Sequence, residues 1–284
     1  MQFKKFFSLV KFSHTIFALP FAISGYFMAA VSSGLLFDAR LFGLVILEMI
    51  FARNTAMAFN RYADRYIDAK NPRTANREIP KGIISATQAL RFIIINAILF
   101  ITIAFFINSL VFWLSPIALS IILGYSYFKR FCALSHLILG LGLALAPIGA
   151  YLCVIPHFHT APILLSFAVL FWVAGFDVIY ALQDETFDKA HHLKSIPVLL
   201  GYKKASLLAV VLHIVSVFLL LFLGCYAGYN LLYWIGLSIF ALLLFYQHFI
   251  IKRYGLSKLN LAFFTTNGFA SIIFSVFFIL DLLN

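Results

Sequence analysis

Three polar side chains recur at intervals of four residues in one segment of the chain. This segment reads Asn60-Arg-Tyr-Ala-Asp64-Arg-Tyr-Ile-Asp68. In an α-helix each step of four residues advances only about 40° around the axis, so the three side chains are predicted to share one face. Carboxylates at this spacing repel each other, and an ionised group beside lipid is costly. The pattern therefore predicts that a cation binds to this face.

A second segment repeats the pattern later in the chain. Asp177, Tyr180, Asp184 and Asp188 fall within one stripe of a predicted helix. Together the two segments hold six of the ten acidic residues, namely Asp64, Asp68, Asp177, Asp184, Glu185 and Asp188. Such a concentration is not expected of acids scattered over a solvated surface.

Paired acidic faces are typical of sites that bind magnesium and phosphate. Mg²⁺ prefers oxygen ligands and is commonly held by one or two carboxylates together with substrate phosphates. Two such faces that meet across a cavity predict a diphosphate site, with nearby Arg and Lys side chains as further clamps. The alternative is that the acids are solvated helix ends paired with Arg61, Arg65 and Lys189.

The rest of the chain reads as membrane helices. Of the 284 residues, 63% are hydrophobic and 11% are charged, whereas soluble domains average about 25% charged residues. A membrane helix needs about 20 mostly apolar residues. Nine candidate runs satisfy this requirement, at about 13–36, 40–61, 87–110, 112–128, 134–155, 161–183, 203–224, 230–250 and 261–282. The split between the third and fourth runs is the weakest.

These runs are too long for barrel strands and do not alternate, which excludes a β-barrel. We therefore expect an all-α fold, a polytopic membrane bundle of nine transmembrane helices that forms a single domain over residues 1–284. The first run follows Lys4, Lys5 and Lys11 in the manner of a signal peptide. It is longer than the apolar region of a signal peptide, so it is expected to be a retained helix.

The basic residues predict the orientation in the membrane. With the N-terminus inside, all but Arg40 and Arg53 of the 21 Lys and Arg residues fall in inner segments. The positive-inside rule then predicts a multi-pass protein of the cell inner membrane, with its N-terminus and the acidic mouth facing the cytoplasm. This asymmetry also accounts for the net charge of +11 without a nucleic-acid partner.

A weak internal repeat, Ile-Pro and then Gly, follows each of the two acidic segments. Ile79-Pro80 and then Gly82 follow the first, and Ile196-Pro197 and then Gly201 follow the second. This repetition suggests two related four-helix units, each with one active-site helix.

These motifs together resemble the UbiA superfamily of intramembrane aromatic prenyltransferases, over nearly the whole chain. The branch it looks most like is the 4-hydroxybenzoate polyprenyltransferases and their menaquinone-pathway relatives. The segments that carry the resemblance are Asn60 to Asp68, Asn71 to Gly82, Tyr125-Ser-Tyr127-Phe-Lys129-Arg130, Asp177 to Asp188, and Leu193 to Pro197.

The resemblance implies nine helices around a central cavity, with Mg²⁺ as cofactor and a polyprenyl diphosphate as substrate. It implies a metal–diphosphate site formed by Asn60, Asp64, Asp68, Asp184 and Asp188. It also implies that four basic residues contact the diphosphate, namely Arg73, Arg77, Lys129 and Lys194. The chain departs from the family pattern at Arg61, where many members carry an Asp, so any metal ligand from that position is absent.

The implied function is transfer of a polyprenyl group to an aromatic acid such as 4-hydroxybenzoate, in ubiquinone biosynthesis. One alternative is the same chemistry on a dihydroxynaphthoate-type precursor of menaquinone. Another is a membrane transporter, although transport sites lie near the midplane and these acids cluster at one mouth. Within the implied enzyme, Asp177 and Tyr180 are candidates for orienting the acceptor or stabilising the prenyl cation.

Arg53 lies within the second predicted membrane helix, about two turns deeper than Asn60. An arginine inside a membrane is costly and is by default a functional hypothesis. Arg53 is therefore a candidate for binding the carboxylate of an aromatic acid. The alternative is an internal ion pair with Glu48, which lies five residues earlier and is poorly aligned on the helix.

Overall fold

A computed structural model of the protein describes residues 2–10, 17–35 and 37–284. Every regular element within these ranges is helical, which confirms the predicted all-α fold. The α-helices are α1 (Gln2–Leu9), α2 (Leu19–Ser32), α3 (Ala39–Ala63), α4 (Arg65–Lys70), α5 (Ala86–Ile107), α6 (Ser109–Phe128), α7 (Ser135–Val154), α8 (Thr160–Ala181), α9 (Glu185–Ala190), α10 (Ile196–Ala227), α11 (Leu231–Tyr254) and α12 (Thr266–Leu283).

In the described residues, eight helices are long and apolar enough to cross a membrane. The predicted first span, 13–36, is represented by α2, which is apolar but has only 14 residues. Residues 13–16 and 36 of that prediction lie outside the described ranges. The bundle therefore has eight full-length candidate spans and one short apolar helix, so the predicted count of nine is approximate.

The weakest predicted boundary, between α5 and α6, is confirmed. Asn108 separates the two helices, and its side-chain oxygen accepts a hydrogen bond of 2.9 Å from the Val111 N–H at the start of α6. Its side-chain nitrogen donates to the Leu152 carbonyl of α7, at 2.9 Å. Asn108 thus caps one helix and joins it to the next.

The interior of the bundle is centred on α8. Trp172 is fully buried there and donates from Nε1 to Asn267 of α12 at 3.0 Å. His213 of α10 contacts the Trp172 carbonyl through Nε2, at 3.1 Å. Large apolar side chains such as Trp113, Phe218 and Phe245 lie exposed on the outer helices, as expected of a surface that faces lipid.

Both acidic segments cross a break between helices. The first segment was predicted on one continuous helix, but α3 ends at Ala63 and Asp64 separates it from α4. The second passes from α8 through a single 3₁₀ turn, Leu182–Asp184, into α9. The Asp64 N–H still bonds the Asn60 carbonyl at 3.0 Å, so the four-residue spacing of the first motif is largely kept across the break.

Two polar segments cap this end of the bundle. The first connects α4 to α5 and is held to α3 by a buried ion pair between Arg61 and Glu78. The second connects α9 to α10, and its Lys194 N–H donates to the Lys129 carbonyl at 2.7 Å. The Ile-Pro repeat has a structural counterpart, because Gly82 and Gly201 both adopt positive φ, at 71° and 72°.

Candidate functional site

Asp64 lies at the centre of the first motif and is almost completely buried, with 3% of its side chain exposed. Its carboxylate forms an ion pair with Lys129, which follows α6. Asn60 Nδ2 lies 3.4 Å from Asp64 Oδ2, and Arg130 Nη2 lies 3.6 Å from Oδ1. Oδ1 accepts no hydrogen bond from the described part of the chain.

Asp68 lies one turn further on, in α4, and is also buried. Arg77 of the first cap donates from Nη1 to both oxygens of its carboxylate, at 2.8 Å each. The Thr74 hydroxyl donates to the Asp68 carbonyl at 3.1 Å and keeps the cap next to this helix. The first motif therefore binds both of its carboxylates to permanent cations.

Arg73 of the first cap joins the first motif to the second. Its Nε donates to Asp184 Oδ1 at 2.9 Å, and its Nη2 donates to Oδ2 at 2.6 Å. The Tyr180 hydroxyl accepts from Arg73 Nη1 at 3.1 Å, and Asn71 Nδ2 donates to Asp184 at 3.3 Å. The predicted meeting of the two acidic segments is thus present, with Arg73 between them.

Neither of the other two carboxylates of the second motif forms an ion pair with a Lys or Arg side chain of the described residues. Asp177 lies 2.7 Å from His136 Nδ1 of α7. Asp188 hydrogen-bonds the Ser195 side chain of the second cap and lies within electrostatic range of Lys129. The alternative, in which these acids form ion pairs with Arg61, Arg65 and Lys189, is not found among the described residues, where Arg61 pairs with Glu78.

Electrostatics differ between the two sides of the mouth. Burial raises the pKa of the Asp64 carboxyl, and the adjacent Lys129 ammonium opposes that rise without cancelling it. Burial alone would lower the pKa of Arg73, but the hydrogen bond to Asp184 and the nearby charges raise the pKa overall. Arg73 therefore stays positively charged, whereas the negative charge on Asp64 depends on a neighbouring cation.

The donors present can complete a magnesium site only together with a substrate. No group of three or more His, Cys, Asp or Glu side chains within the described ranges is arranged to hold a metal unaided. Mg²⁺, however, commonly takes only one or two protein carboxylates and fills its other positions with phosphate oxygens and water. The buried Asp64 Oδ1, which lacks a donor, fits such a cation, so the residues present are compatible with the predicted metal.

An apolar cavity of about 300 Å³ lies between α3, α6 and α7. Arg53 and Tyr125 both line it, and Tyr125 lies within electrostatic reach of Arg53, Asp64 and Asp177. Glu48 also lines the cavity but forms no ion pair within the described chain. The alternative pairing of Arg53 with Glu48 is therefore absent.

Of the four basic residues predicted to contact the diphosphate, Lys194 is the one that the described structure does not bring to a carboxylate. Its side chain is exposed, and only its backbone reaches the site. The sequence interpretation also missed several residues that contact the motifs, among them Asn71 and His136. His136 gave no signal, because a single histidine at the start of an apolar helix resembles an ordinary packed side chain.

Comparison with known proteins identifies the family of this chain. Residues 18–272 match the model of the UbiA prenyltransferase family. A 4-hydroxybenzoate octaprenyltransferase of Aliivibrio fischeri (strain MJ11) is 29% identical over 230 residues, which cover 81% of this chain and 79% of that relative.

Solved structures share the fold. A UbiA homolog from Aeropyrum pernix K1, in its apo form, aligns with a TM-score of 0.85 at 30% identity, over 94% of this chain and 98% of that chain. A UbiA homolog from Archaeoglobus fulgidus bound to GPP and Mg²⁺ aligns with a TM-score of 0.75 at 22% identity, over 99% of this chain and 100% of that chain.

Proposed function

Because this chain belongs to the UbiA prenyltransferase family, we propose that it transfers a polyprenyl group from its diphosphate to an aromatic acid of the 4-hydroxybenzoate type, in ubiquinone biosynthesis. The name of the Aliivibrio fischeri relative supports this acceptor and this reaction. The Archaeoglobus fulgidus homolog, bound to GPP and Mg²⁺, supports a prenyl diphosphate and Mg²⁺ as the ligands.

One observation carries the proposal. Carboxylates from two distant segments, Asp64 and Asp184, meet at one end of the bundle, and each is bound to a cationic side chain. Carboxylates suit a metal and cations suit phosphate oxygens, so this arrangement matches the two components of a metal–diphosphate complex. A purely structural membrane protein would have no need of both.

We assign the metal to the oxygen ligands of the two motifs, namely Asn60, Asp64, Asp68, Asp184 and Asp188. When bound, Mg²⁺ supplies positive charge that stabilises the departing diphosphate. Arg73, Arg77 and Lys129 neutralise the carboxylates and lie ready to bind diphosphate oxygens with charge-assisted hydrogen bonds. The exposed Lys194 adds positive charge to the same mouth.

The cavity accounts for the other half of the reaction. Its apolar walls exclude water from a prenyl cation and match the isoprenoid in polarity. Arg53 binds the carboxylate of the acceptor, and Tyr125, which adjoins both Arg53 and the two motifs, lies between that carboxylate and the diphosphate. Tyr180, held by Arg73, contributes a ring beside the reacting carbon.

In the membrane, we propose that the chain forms one domain over residues 1–284 in the cell inner membrane, with its N-terminus and the mouth of the site in the cytoplasm. The concentration of Lys and Arg on that side supports this orientation.

The direct test is product mass spectrometry. Membranes containing the protein are incubated with Mg²⁺, one prenyl diphosphate and a panel of acids that includes 4-hydroxybenzoate and a dihydroxynaphthoate. We expect prenylated 4-hydroxybenzoate, no product after removal of Mg²⁺ with EDTA, and recovery when Mg²⁺ is restored. A prenylated naphthoate alone would move the assignment to the menaquinone-type acceptor. No prenylated acid from any member of the panel would defeat the proposal.

A further inference from the structure

We infer that Asp177 accepts the proton released from the acceptor ring, and that His136 is the positioning residue that holds this carboxylate in place. The inference rests on the proposed function, because the ring proton exists only if an aromatic acceptor is prenylated. It adds an acid–base residue and its support to a site otherwise made of metal ligands and diphosphate clamps.

Asp177 is distinguished by its partner. Permanent cations bind three other carboxylates of the two motifs, namely Asp64, Asp68 and Asp184. Asp177 instead lies 2.7 Å from the His136 imidazole. A carboxylate clamped by Lys or Arg has its lone pairs engaged with a cation, whereas one paired with a neutral ring can take up a proton without breaking an ion pair.

The hydrogen bonds of His136 fix which nitrogen carries its hydrogen. The Ile196 N–H donates to His136 Nε2 at 3.3 Å, so Nε2 presents its lone pair and the hydrogen lies on Nδ1. Nδ1–H then donates to Asp177 Oδ2. In this arrangement the imidazole occupies Oδ2 and leaves Oδ1 of the carboxylate to take up a proton.

The second oxygen of Asp177 is available. Oδ1 forms no hydrogen bond with a described residue, and 22% of the side chain is exposed although Phe176 and Val178 beside it are buried. Asp177 lies seven residues before Asp184, about 10 Å deeper along the helix axis. A ring that reacts with the first carbon of a prenyl chain lies inward of the diphosphate, and so on the Asp177 side of Asp184.

Tyr180 is less suited to this role. Its hydroxyl accepts a hydrogen bond from Arg73, so its lone pair already faces a cation. Asp188 lies in α9, beyond the end of α8, and its carboxylate is engaged with Ser195. Among these carboxylates, Asp177 therefore lies furthest from the cap along α8 and keeps one oxygen without a hydrogen bond to a described residue.

The bond between the first prenyl carbon and oxygen breaks, and its electron pair leaves with the diphosphate. The ring carbon ortho to the phenol hydroxyl donates a π pair and forms the new C–C bond. The C–H bond at that carbon then breaks, its electrons restore the aromatic ring, and the proton passes to Asp177 Oδ1.

His136 acts through Asp177 and through the cap. The imidazole is buried, and its two hydrogen bonds join α8 to Ile196 at the start of α10. The same cap segment bonds Lys129 through the Lys194 N–H. The orientation of Asp177 is therefore fixed by the same cap that adjoins the diphosphate clamps.

Three variants test the inference: Asp177→Asn, His136→Ala and His136→Gln. Glutamine can reproduce both contacts of His136, because its amide N–H can donate to Asp177 and its amide oxygen can accept from Ile196. We expect Asp177→Asn to lower kcat about 10²- to 10⁴-fold, the usual range for a general base. His136→Ala should lower kcat about 10- to 100-fold through misplacement, with both KM values little changed, and His136→Gln should restore most of it.

The decisive readout is a hydrogen isotope effect, measured with 4-hydroxybenzoate deuterated at both ring carbons ortho to the hydroxyl. Loss of the ring proton should become rate-limiting in Asp177→Asn and His136→Ala, so their isotope effect should exceed that of the wild type. Thermal unfolding in detergent identifies any variant that has not folded. The roles of Asp177 and His136 are then tested with the variants that fold.

An unchanged isotope effect in Asp177→Asn, or a His136→Gln protein as impaired as His136→Ala, would overturn the inference. Absence of product from the wild type would instead defeat the proposed 4-hydroxybenzoate activity, and this is measured first.

Discussion

The first acidic motif, on α3 and α4, binds both of its carboxylates to cations from its own half of the molecule, Asp64 to Lys129 and Asp68 to Arg77. The second motif, on α8 and α9, has a mixed set of partners. Only Asp184 is bound by a permanent cation, and that cation, Arg73, comes from the first half. Asp177 is paired with a histidine instead.

This difference indicates a division of roles between two segments that resemble each other in sequence. The first motif begins on α3, which also lines the cavity. The motif contributes only charged or amide groups, as a metal–diphosphate site requires. The second lies at the end of the buried helix α8, whose packing fixes the depth and direction of its side chains. Rigid placement suits a group that must meet one atom of an acceptor ring.

The largest expected effect is loss of a central carboxylate. Asp64→Asn and Asp184→Asn should each lower kcat about 10²- to 10³-fold, because each removes charge that stabilises the transition state. Prenyl transfer by purified protein, with thermal unfolding as the check on folding, measures this effect. If one variant remained fully active, the corresponding motif would not be part of the site.

Arg73 and Arg77 distinguish a residue that joins the motifs from one that serves a single motif. Arg73→Met should lower kcat/KM for the prenyl diphosphate about 100-fold, because it loses contacts to both Asp184 and Tyr180. Arg77→Met, the matched control, should lower the same kcat/KM about tenfold. Equal losses would contradict the view that Arg73 connects the two halves.

Arg53 tests the acceptor side of the cavity. Arg53→Leu should raise KM for 4-hydroxybenzoate about tenfold, which corresponds to the loss of one charge-assisted hydrogen bond, and should change KM for the prenyl diphosphate much less. An acceptor that lacks the carboxylate should respond little to the substitution. Equal increases for both substrates would argue against a carboxylate-binding role.

The smallest expected effects are those of substitutions at the two glycines of the Ile-Pro repeat, and they fall on stability. Gly82→Ala and Gly201→Ala should each cost about 1–3 kcal/mol of stability, because L-residues avoid positive φ. The added methyl group meets no atom within 4 Å at either site, so the cost comes from the backbone alone. Activity at low temperature should be retained. A thermal unfolding series measures the change, and a marked loss from only one variant would weaken the structural parallel between the two caps.

Much of this arrangement could be predicted from the sequence. Apolar runs identified the long helices, since a span through lipid needs a length that few other elements share. The Asn108 boundary followed from a polar residue between two such runs. The meeting of Asp64 and Asp184 followed from their charge, because two acidic faces on the same side of a membrane have little reason to exist apart.

Other features could not be predicted from periodicity. The break at Asp64 has no Gly or Pro to signal it. The bond from Arg73 to Asp184 joins residues far apart in the chain, and side-chain reach decides it. His136 acquires a role only when α7, α8 and the second cap come together, which no periodicity in the sequence shows.

A double-mutant cycle tests most directly whether the two acidic motifs act as one site. Binding of a non-hydrolysable prenyl thiolodiphosphate in the presence of Mg²⁺ is measured by calorimetry for the wild type, Asp64→Asn, Asp184→Asn and the double variant. If both carboxylates hold one metal–diphosphate complex, the double variant should bind little worse than the weaker single variant. Free-energy losses that simply add would mean that the two carboxylates act independently, and would contradict the account.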